Sequence, residues 1–389
     1  MKKSLFDNTE VAFKMKKNFH LYNAIFLFNI ITKKILVGIL TNLTIMMLKF
    51  RLPIKWILKG TIYKHFCGGI DIAECKKIIS DMYRMNVYSI LDYSVEGLSN
   101  ENSFNNSCKK KIKIIDIVSE NDAVPFAVFK PTSIGRYELF KAVSYGKKLL
   151  KDEEVEWSNV VTRFHKICNH ALINKTKILI DAEEFEVQKA IDELALEMMK
   201  SYNKEYVIVY NTIQLYRWDR IDYLKKLFKD YSKSKFSFGF KLVRGAYMEK
   251  ERLLAKNGNY KSPICSSKNE TDLNFNKAID LMFKHIKKAD FFIATHNEFS
   301  NYKVIDLMKK NEIKNNSDKI WFGQLYGMSD NITFNLASEG YNVAKILPFG
   351  PVENLVPYLI RRAQENSSFE GQSSRELSLL KKELLRRSS

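Results

Sequence analysis

The chain has 389 residues, 46% of them apolar. That excludes a disordered chain and leaves room for a large core. A net charge of +19 points to an acidic partner such as nucleic acid, anionic lipid or an anionic small molecule, although a general richness in lysine, asparagine and isoleucine accounts for it equally well. Residues 1–85 read as a helical arm. Within it "ILVGILTNLTIMML", Ile35 to Leu48, is 14 residues long, short of the roughly 20 that span a bilayer. Lys33, Lys34, Lys49 and Lys55 flank it. The run reads either as a helix on an anionic membrane surface or as one packed on the main domain, and packing is the preferred reading. "HFCGG", His65 to Gly69, looks like a helix ending at glycine.

From residue 86 onward short β-branched runs recur: "VYSILDYSVEG" (87–97), "VPFAVFKPTSIG" (124–135), "KILIDAEE" (177–184) and "YVIVYNTIQLY" (206–216). They continue with "SFGFKLVRGAY" (237–247), "FFIATHN" (291–297), "IWFGQLYGM" (320–328) and "NVAKILPFG" (342–350). Helix-like stretches lie between them. Alternating strand and helix predicts parallel β/α units, and eight units predict a closed (β/α)8 barrel over 86–389. An open doubly wound sheet is the rival, but no G-x-G-x-x-G follows a strand. Barrel sites lie at the carboxyl ends of the strands. Those ends here carry Asp92, Lys130, Asp181, Gln214, Lys241, Arg244, His296 and Gln324. Any one of these could simply hydrogen-bond a neighbouring loop; eight arriving in register read as a ligand site.

After the eighth run comes "PYLIRRAQENSS", Pro357 to Ser368. Pro357 suits a first helical turn. Tyr358, Arg361, Arg362 and Glu365 then share one helix face. Two guanidiniums beside a tyrosine can grip a carboxylate or phosphate bidentately. The terminal "KKELLRRSS" reads instead as a solvated basic surface.

Five cysteines, an odd number without a C-x-x-C pair, exclude a disulfide framework and a structural zinc site. His165 and His170 are five apart and no H-E-x-x-H occurs, so no metal is expected. The N-terminus mixes Lys2 and Lys3 with Asp7 and Glu10, unlike a signal peptide. A cytoplasmic location follows as the expectation, with peripheral contact at the inner face of an anionic membrane beside it.

In chain order, "IDAEE", "KLVRGAYMEKER", "ATHN", "GQLYGMSDN" and "PYLIRRAQENSS" resemble the proline dehydrogenase family, over roughly residues 86 to 385. The resemblance implies a distorted (β/α)8 TIM-type barrel with an N-terminal helical arm, and a non-covalent FAD. It implies oxidation of L-proline to 1-pyrroline-5-carboxylate by hydride transfer from C5 to flavin N5, with electrons passed to a quinone. A separate pyrroline-5-carboxylate dehydrogenase is an implied partner. By position, Arg361, Arg362 and Lys130 match the groups that hold the substrate carboxylate. Asp181 matches the acidic residue at the third strand end. Tyr247, Leu325 and Tyr358 match the walls around the ring, and Lys241 the cation near flavin N5. Gln214, Arg244, Gly245, Ala246, Thr295 and His296 match flavin contacts, with Gln324 on the same rim. Lys268, Thr271, Glu365 and Ser368 match residues near the nucleotide part of FAD. The chain departs from the family in reading "KLVRGAY" for "RLVKGAY". It also has Ile346, in "KILPFG", where a tyrosine is expected beside the proline ring. That loss opens 4-hydroxyproline as an alternative substrate. A reading of another class, a basic non-catalytic protein that binds nucleic acid or membrane, rests on the +19 charge alone; no nucleic-acid module is present, and no nucleic-acid partner is expected.

Overall fold

The structure, a computed structural model, describes residues 4–50, 58–93, 100–368 and 372–389. Eight parallel strands close into a barrel in the order β1 to β8. They are β1 (Tyr88–Tyr93), β2 (Phe126–Phe129), β3 (Lys177–Ile180), β4 (Val209–Gln214), β5 (Phe238–Val243), β6 (Ala289–Ala294), β7 (Ile320–Leu325) and β8 (Val343–Phe349). Each is shorter than the run that predicts it, and β6 begins two residues ahead of its run. Residues 94–97 of the first run lie outside the described residues.

The arm contributes α1 (Asn18–Ile31), α2 (Lys34–Lys49) and α3 (Ile72–Tyr83). Between the strands run α4 (Glu101–Ser119), α5 (Tyr137–Ser144), α6 (Lys151–Ile173), α7 (Phe185–Tyr202), α8 (Arg220–Asp230), α9 (Met248–Asn257), α10 (Lys268–Lys284), α11 (Glu298–Lys310) and α12 (Asp330–Ser338). The chain then adds α13 (Val352–Ser368) and α14 (Gln372–Ser388). Three of the starts follow capping rules. Asp71 accepts from the Glu74 amide at 2.9 Å ahead of α3. Asn100 and Ser103 form a reciprocal pair at α4, and Ser267 accepts from the Glu270 amide at 3.2 Å at α10.

The molecule divides into two compact units. One holds Glu96–Thr295 and Phe299–Phe322. Its floor is aromatic: the Phe126 ring meets Tyr210 at 5.6 Å, Phe292 at 5.3 Å and Trp321 at 5.1 Å, all edge-on. Phe126 opens β2, so this plug closes the amino end and leaves the carboxyl end for chemistry.

The other unit holds Met1–Val95, His296–Glu298 and Gly323–Ser389. Three sequence expectations change here. Pro357 lies inside α13 rather than in its first turn; the helix begins at Val352, directly after Pro351, and Pro357 has no N–H to continue the ladder at that turn. The short helix Lys64–Phe66 ends at Cys67, before the glycines. Gly68 is required instead by packing, since a Cβ there would sit 2.6 Å from the Leu347 side chain. The terminal basic stretch is not merely solvated. Glu383 is fully buried and takes Arg386 at 2.9 Å and Arg387 at 2.7 Å. Arg387 also donates to the carbonyls of Phe13 and Lys16, at 2.9 and 2.7 Å.

Packing of the arm is narrower than the sequence suggests. Val37 and Thr41 of α2 are buried, but Ile35 is 82% exposed, Ile39 58% and Phe50 68%. On α1, Phe19 and Phe26 are each 68% exposed. The two helices meet at a 98° bend, and among the described residues no single helix is long and apolar enough to cross a membrane.

Candidate active site

In the first unit, β3 and β5 each deliver a charged group. Asp181 follows β3, its amide donating to the Phe129 carbonyl at 3.0 Å. Lys241 lies on β5 between Thr212 of β4 and Phe292 of β6. The Lys241 ammonium donates to the Asp181 carboxylate at 2.7 Å, and both side chains are largely buried, 8% and 19% exposed. A buried cation of this kind persists because its partner is within contact.

Glu183 ties the next strand end to them. Its carboxylate accepts from the Thr132 amide at 2.8 Å and the Thr132 hydroxyl at 2.6 Å. That fixes the turn beginning at Lys130, whose carbonyl accepts from the Ser133 hydroxyl at 2.6 Å. Burial pushes the Glu183 carboxyl up to about 7, against the opposing pull of the Thr132 bonds. The Glu183 carbonyl takes the Gln214 side-chain amide at 2.8 Å. Glu183 lies in the "IDAEE" motif, yet its role is invisible in sequence because Thr132 is 51 residues away.

After β5 the chain turns at Gly245, with φ +134°. A Cβ there would stand 2.5 Å from the Tyr216 ring, so only glycine fits. Beside it Arg244 is anchored on three sides: Asp272 at 2.7 Å, the Thr295 hydroxyl, and Ser300 at 3.1 Å. Its guanidinium covers the Phe275 ring at 4.4 Å. Asp272 also accepts from Lys268 at 2.6 Å, so it gathers two predicted residues, Arg244 and Lys268, that sequence leaves unconnected. Thr271 is buried and returns its hydroxyl to the Ser267 carbonyl at 3.3 Å. Ala246 is exposed, and Tyr247 is half-buried at the start of α9.

The second unit carries the remaining predicted residues. Leu325, at the end of β7, packs in one cluster with Tyr358, Leu355 and Met328. The Arg362 guanidinium lies 5.3 Å from the centre of the Tyr358 ring, and Arg361 and Arg362 are both half-buried. Gln324 is buried and accepts from the Thr333 hydroxyl at 2.8 Å. His296 meets the Ser329 hydroxyl at 3.0 Å through Nδ1. Ser329 has a left-handed φ of 52°, a strained position for a non-glycine residue. The Glu376 carboxylate holds it by accepting from its amide at 2.9 Å. Ile346 is half-buried on β8, facing Ile90 in register. The α13 backbone continues to Ser368, but the side chains of Glu365 and Ser368 lie outside the described residues.

Sequence reasoning passes over Lys345, beside Ile346. It is 1% exposed and meets Asp330 at 2.8 Å. Asp330 also binds Lys16 of the arm at 2.7 Å. Burial pushes the Asp330 carboxyl up, but the Lys16 and Lys345 ammoniums outweigh it and hold the group well below the usual carboxylate range. Among the described residues no cluster of metal-ligating side chains occurs.

Residues 75–375 match the model of the family described as proline dehydrogenase. The chain belongs to the proline dehydrogenase family.

Among its relatives is the carbapenem antibiotics biosynthesis protein CarD of Pectobacterium carotovorum subsp. carotovorum, 33% identical over 83% of each chain. Proline dehydrogenase 1 of Dictyostelium discoideum is 30% identical, covering 86% of this chain and 66% of its own. Hydroxyproline dehydrogenase of Xenopus laevis is 29% identical, covering 86% and 79%. Among solved structures, proline utilization A from Bdellovibrio bacteriovorus superposes with a TM-score of 0.72 at 20% identity and has the same fold. The comparison covers 82% of this chain and 34% of that one, so the chain spans about a third of that protein. The family match and the curated relatives named proline dehydrogenase make the protein an enzyme of that family.

The donor set fits a flavin. The Gln214 side-chain oxygen is buried and lacks a hydrogen-bond partner, so it is available to an N–H of a ligand. Lys241 and Arg244 supply positive charge, and Gly245 lets the turn after β5 pack against the Tyr216 ring.

Proposed function

We propose that the protein oxidises L-proline to 1-pyrroline-5-carboxylate with FAD as cofactor and a quinone as final acceptor. The α13 face formed by Tyr358, Arg361 and Arg362 carries this reading, because paired guanidiniums beside an aromatic wall suit a small cyclic amino acid with a carboxylate. No side chain accepts hydride, so a bound flavin supplies that chemistry. Gln214, Arg244, Gly245, Ala246, Thr295, His296 and Gln324 are assigned to its ring system, and Lys268, Thr271, Glu365 and Ser368 to its nucleotide part.

The chain's own residues orient and polarise. Arg361, Arg362 and Lys130 hold the carboxylate, which fixes the ring and lowers the entropic part of the barrier. Tyr247, Leu325, Ile346 and Tyr358 wall the ring and exclude water. Lys241 presents positive charge where negative charge develops, and Asp181 holds that ammonium in place. No dedicated base is assigned. Proline binds as the neutral amine, and its proton leaves to solvent.

The exposed apolar faces of α1 and α2, edged by lysines, support peripheral contact with an anionic membrane on the cytoplasmic side, where a lipid-soluble quinone is reached. A separate pyrroline-5-carboxylate dehydrogenase takes the product. Anaerobic titration of the purified protein, read by flavin absorbance, tests the proposal. L-Proline should bleach the flavin bands, and a protein that FAD does not reconstitute overturns it. Ile346 favours a second reading, 4-hydroxyproline as substrate, and the same titration with that compound decides between the two.

A further inference from the structure

The arm encloses a cavity of about 880 Å³, within the range of small-molecule sites, roughly 300–1,000 Å³. Its walls include Phe26 and Leu27 of α1, Leu40 of α2, and Val356, Leu359 and Ile360 of α13. Its polar lining includes Lys16 and Lys345, which meet at Asp330, together with Tyr326 and Lys64. An apolar channel with a polar end suits an amphiphile.

The polar end decides which amphiphile. Lys345 and Lys16 are both committed to Asp330, and the Glu376 carboxyl adds a further acidic group two residues of contact away, through Ser329. The Lys16 and Lys345 ammoniums are thus already compensated, so a charged phosphate head gains little from them and would face Asp330. A neutral head with carbonyl acceptors fits better, since the ammonium of Lys16, 22% exposed, and the Tyr326 hydroxyl are donors. Burial, then the Asp330 carboxylate, raises the pKa of that phenol, so it keeps its proton.

The position on α13 adds a second argument. Val356, Leu359 and Ile360 share one helix face; Tyr358, Arg361 and Arg362 are two positions on, about 200° around at 3.6 residues per turn. The cavity and the guanidinium face therefore lie on opposite sides of one helix, whose diameter is about 10 Å. The cavity mouth adjoins Phe19 and Phe26, each 68% exposed, so a lipid-soluble molecule has an apolar way in.

We propose that this cavity beneath α1 and α2 binds the electron acceptor, an isoprenoid quinone, with its ring at the Lys16–Tyr326 end and its tail along Leu27 and Leu40. The assignment rests on the quinone-linked function proposed above. The quinone gains two electrons, those removed from the substrate amine, and two protons from solvent to become the quinol.

The test uses holoenzyme with proline as donor and compares a decyl-ubiquinone with a soluble dye, dichlorophenolindophenol. Leu27→Trp and Leu40→Trp, which fill the channel, should raise KM for the quinone at least tenfold and leave proline-to-dye turnover within twofold. Unchanged quinone kinetics in both folded variants overturns the site. A second arm needs no turnover and no variant: an azido-quinone is photolysed on the unaltered protein and the adducts are mapped. Labelling on α1, α2 or α13 that excess decyl-ubiquinone suppresses supports the site. Labelling elsewhere, or a cavity occupied by co-purified phospholipid that quinone does not displace, overturns it. A protein inactive with both acceptors contradicts the proline oxidation itself, while the labelling still decides the cavity.

Discussion

Lys241 and Asp181 are 60 residues apart in sequence and 2.7 Å apart in space, an ion pair largely closed to solvent. Replacing Asp181 with alanine strands the Lys241 ammonium in a low-dielectric site, which costs about 3–5 kcal/mol. Asp181→Ala should therefore lower the unfolding free energy by that order and depress kcat. Asp181→Ala combined with Lys241→Met should recover much of the stability but none of the turnover. Denaturant unfolding and proline-to-dye kinetics on the three proteins check this; full activity in the double variant would remove both residues from the chemistry.

The guanidiniums of α13 give the sharpest kinetic expectation. Loss of one partner from a desolvated charge pair costs about 2–5 kcal/mol, or about 30- to 5,000-fold. Arg361→Ala and Arg362→Ala should each raise KM for proline on that scale while FAD content stays near that of the parent. Arg362→Lys should recover little, since lysine lacks the planar fork. Steady-state kinetics with flavin quantified by absorbance is the measurement, and an unaltered KM would assign the side chains to solvent.

Ile346 stands where the family resemblance implies a tyrosine. Ile346→Tyr should raise the preference for proline over 4-hydroxyproline, measured as the ratio of kcat/KM values, by about tenfold. A ratio that does not move would show that this position does not sense the ring substituent.

Glu183 should leave a mark on stability as pH changes. Its folded pKa, about 7, lies above the ordinary glutamate value of 4.5. The folded state thus keeps a proton that the unfolded state gives up. The associated stability is fully present below about pH 4.5 and is lost as pH rises through about 7. Glu183→Gln has no proton to lose, so its thermal midpoint should fall less than that of the parent between those limits. Parallel melting curves across that window settle the matter; identical slopes would mean the carboxyl is ionised when folded.

The barrel is legible because each strand is a short apolar, β-branched run bounded by polar residues, and a run buried on both faces stands out without any knowledge of partners. Pairing is not legible. Asp181 and Lys241 each stand out as polar groups at strand ends, but nothing in sequence says that they touch. Glu183 lies inside a conspicuous motif and Asp272 directly follows Thr271, yet both escape notice, since their partners Thr132 and Arg244 come from the loops after other strands. Lys345 reads as an ordinary strand lysine until Asp330 and Lys16 appear beside it. Pro357 is misplaced because proline at N1 is the common case, and Pro351 had already provided the break. The arm misleads for a different reason: an apolar run of 14 residues is usually core, whereas here α2 buries only a narrow stripe.

The clasp between the two ends of the chain has a consequence for biosynthesis. Arg387 grips the carbonyls of Phe13 and Lys16, and Arg375 meets Asp7 at 2.6 Å. These bonds close only after Arg375 and Arg387, 368 and 374 residues behind Asp7 and Phe13, have left the ribosome. At about 5–20 residues per second, the arm waits roughly 20 to 75 seconds with its oily helices bare. During that interval nascent chains are at their most vulnerable to clumping, and a chaperone or a nearby bilayer would find its best purchase on them.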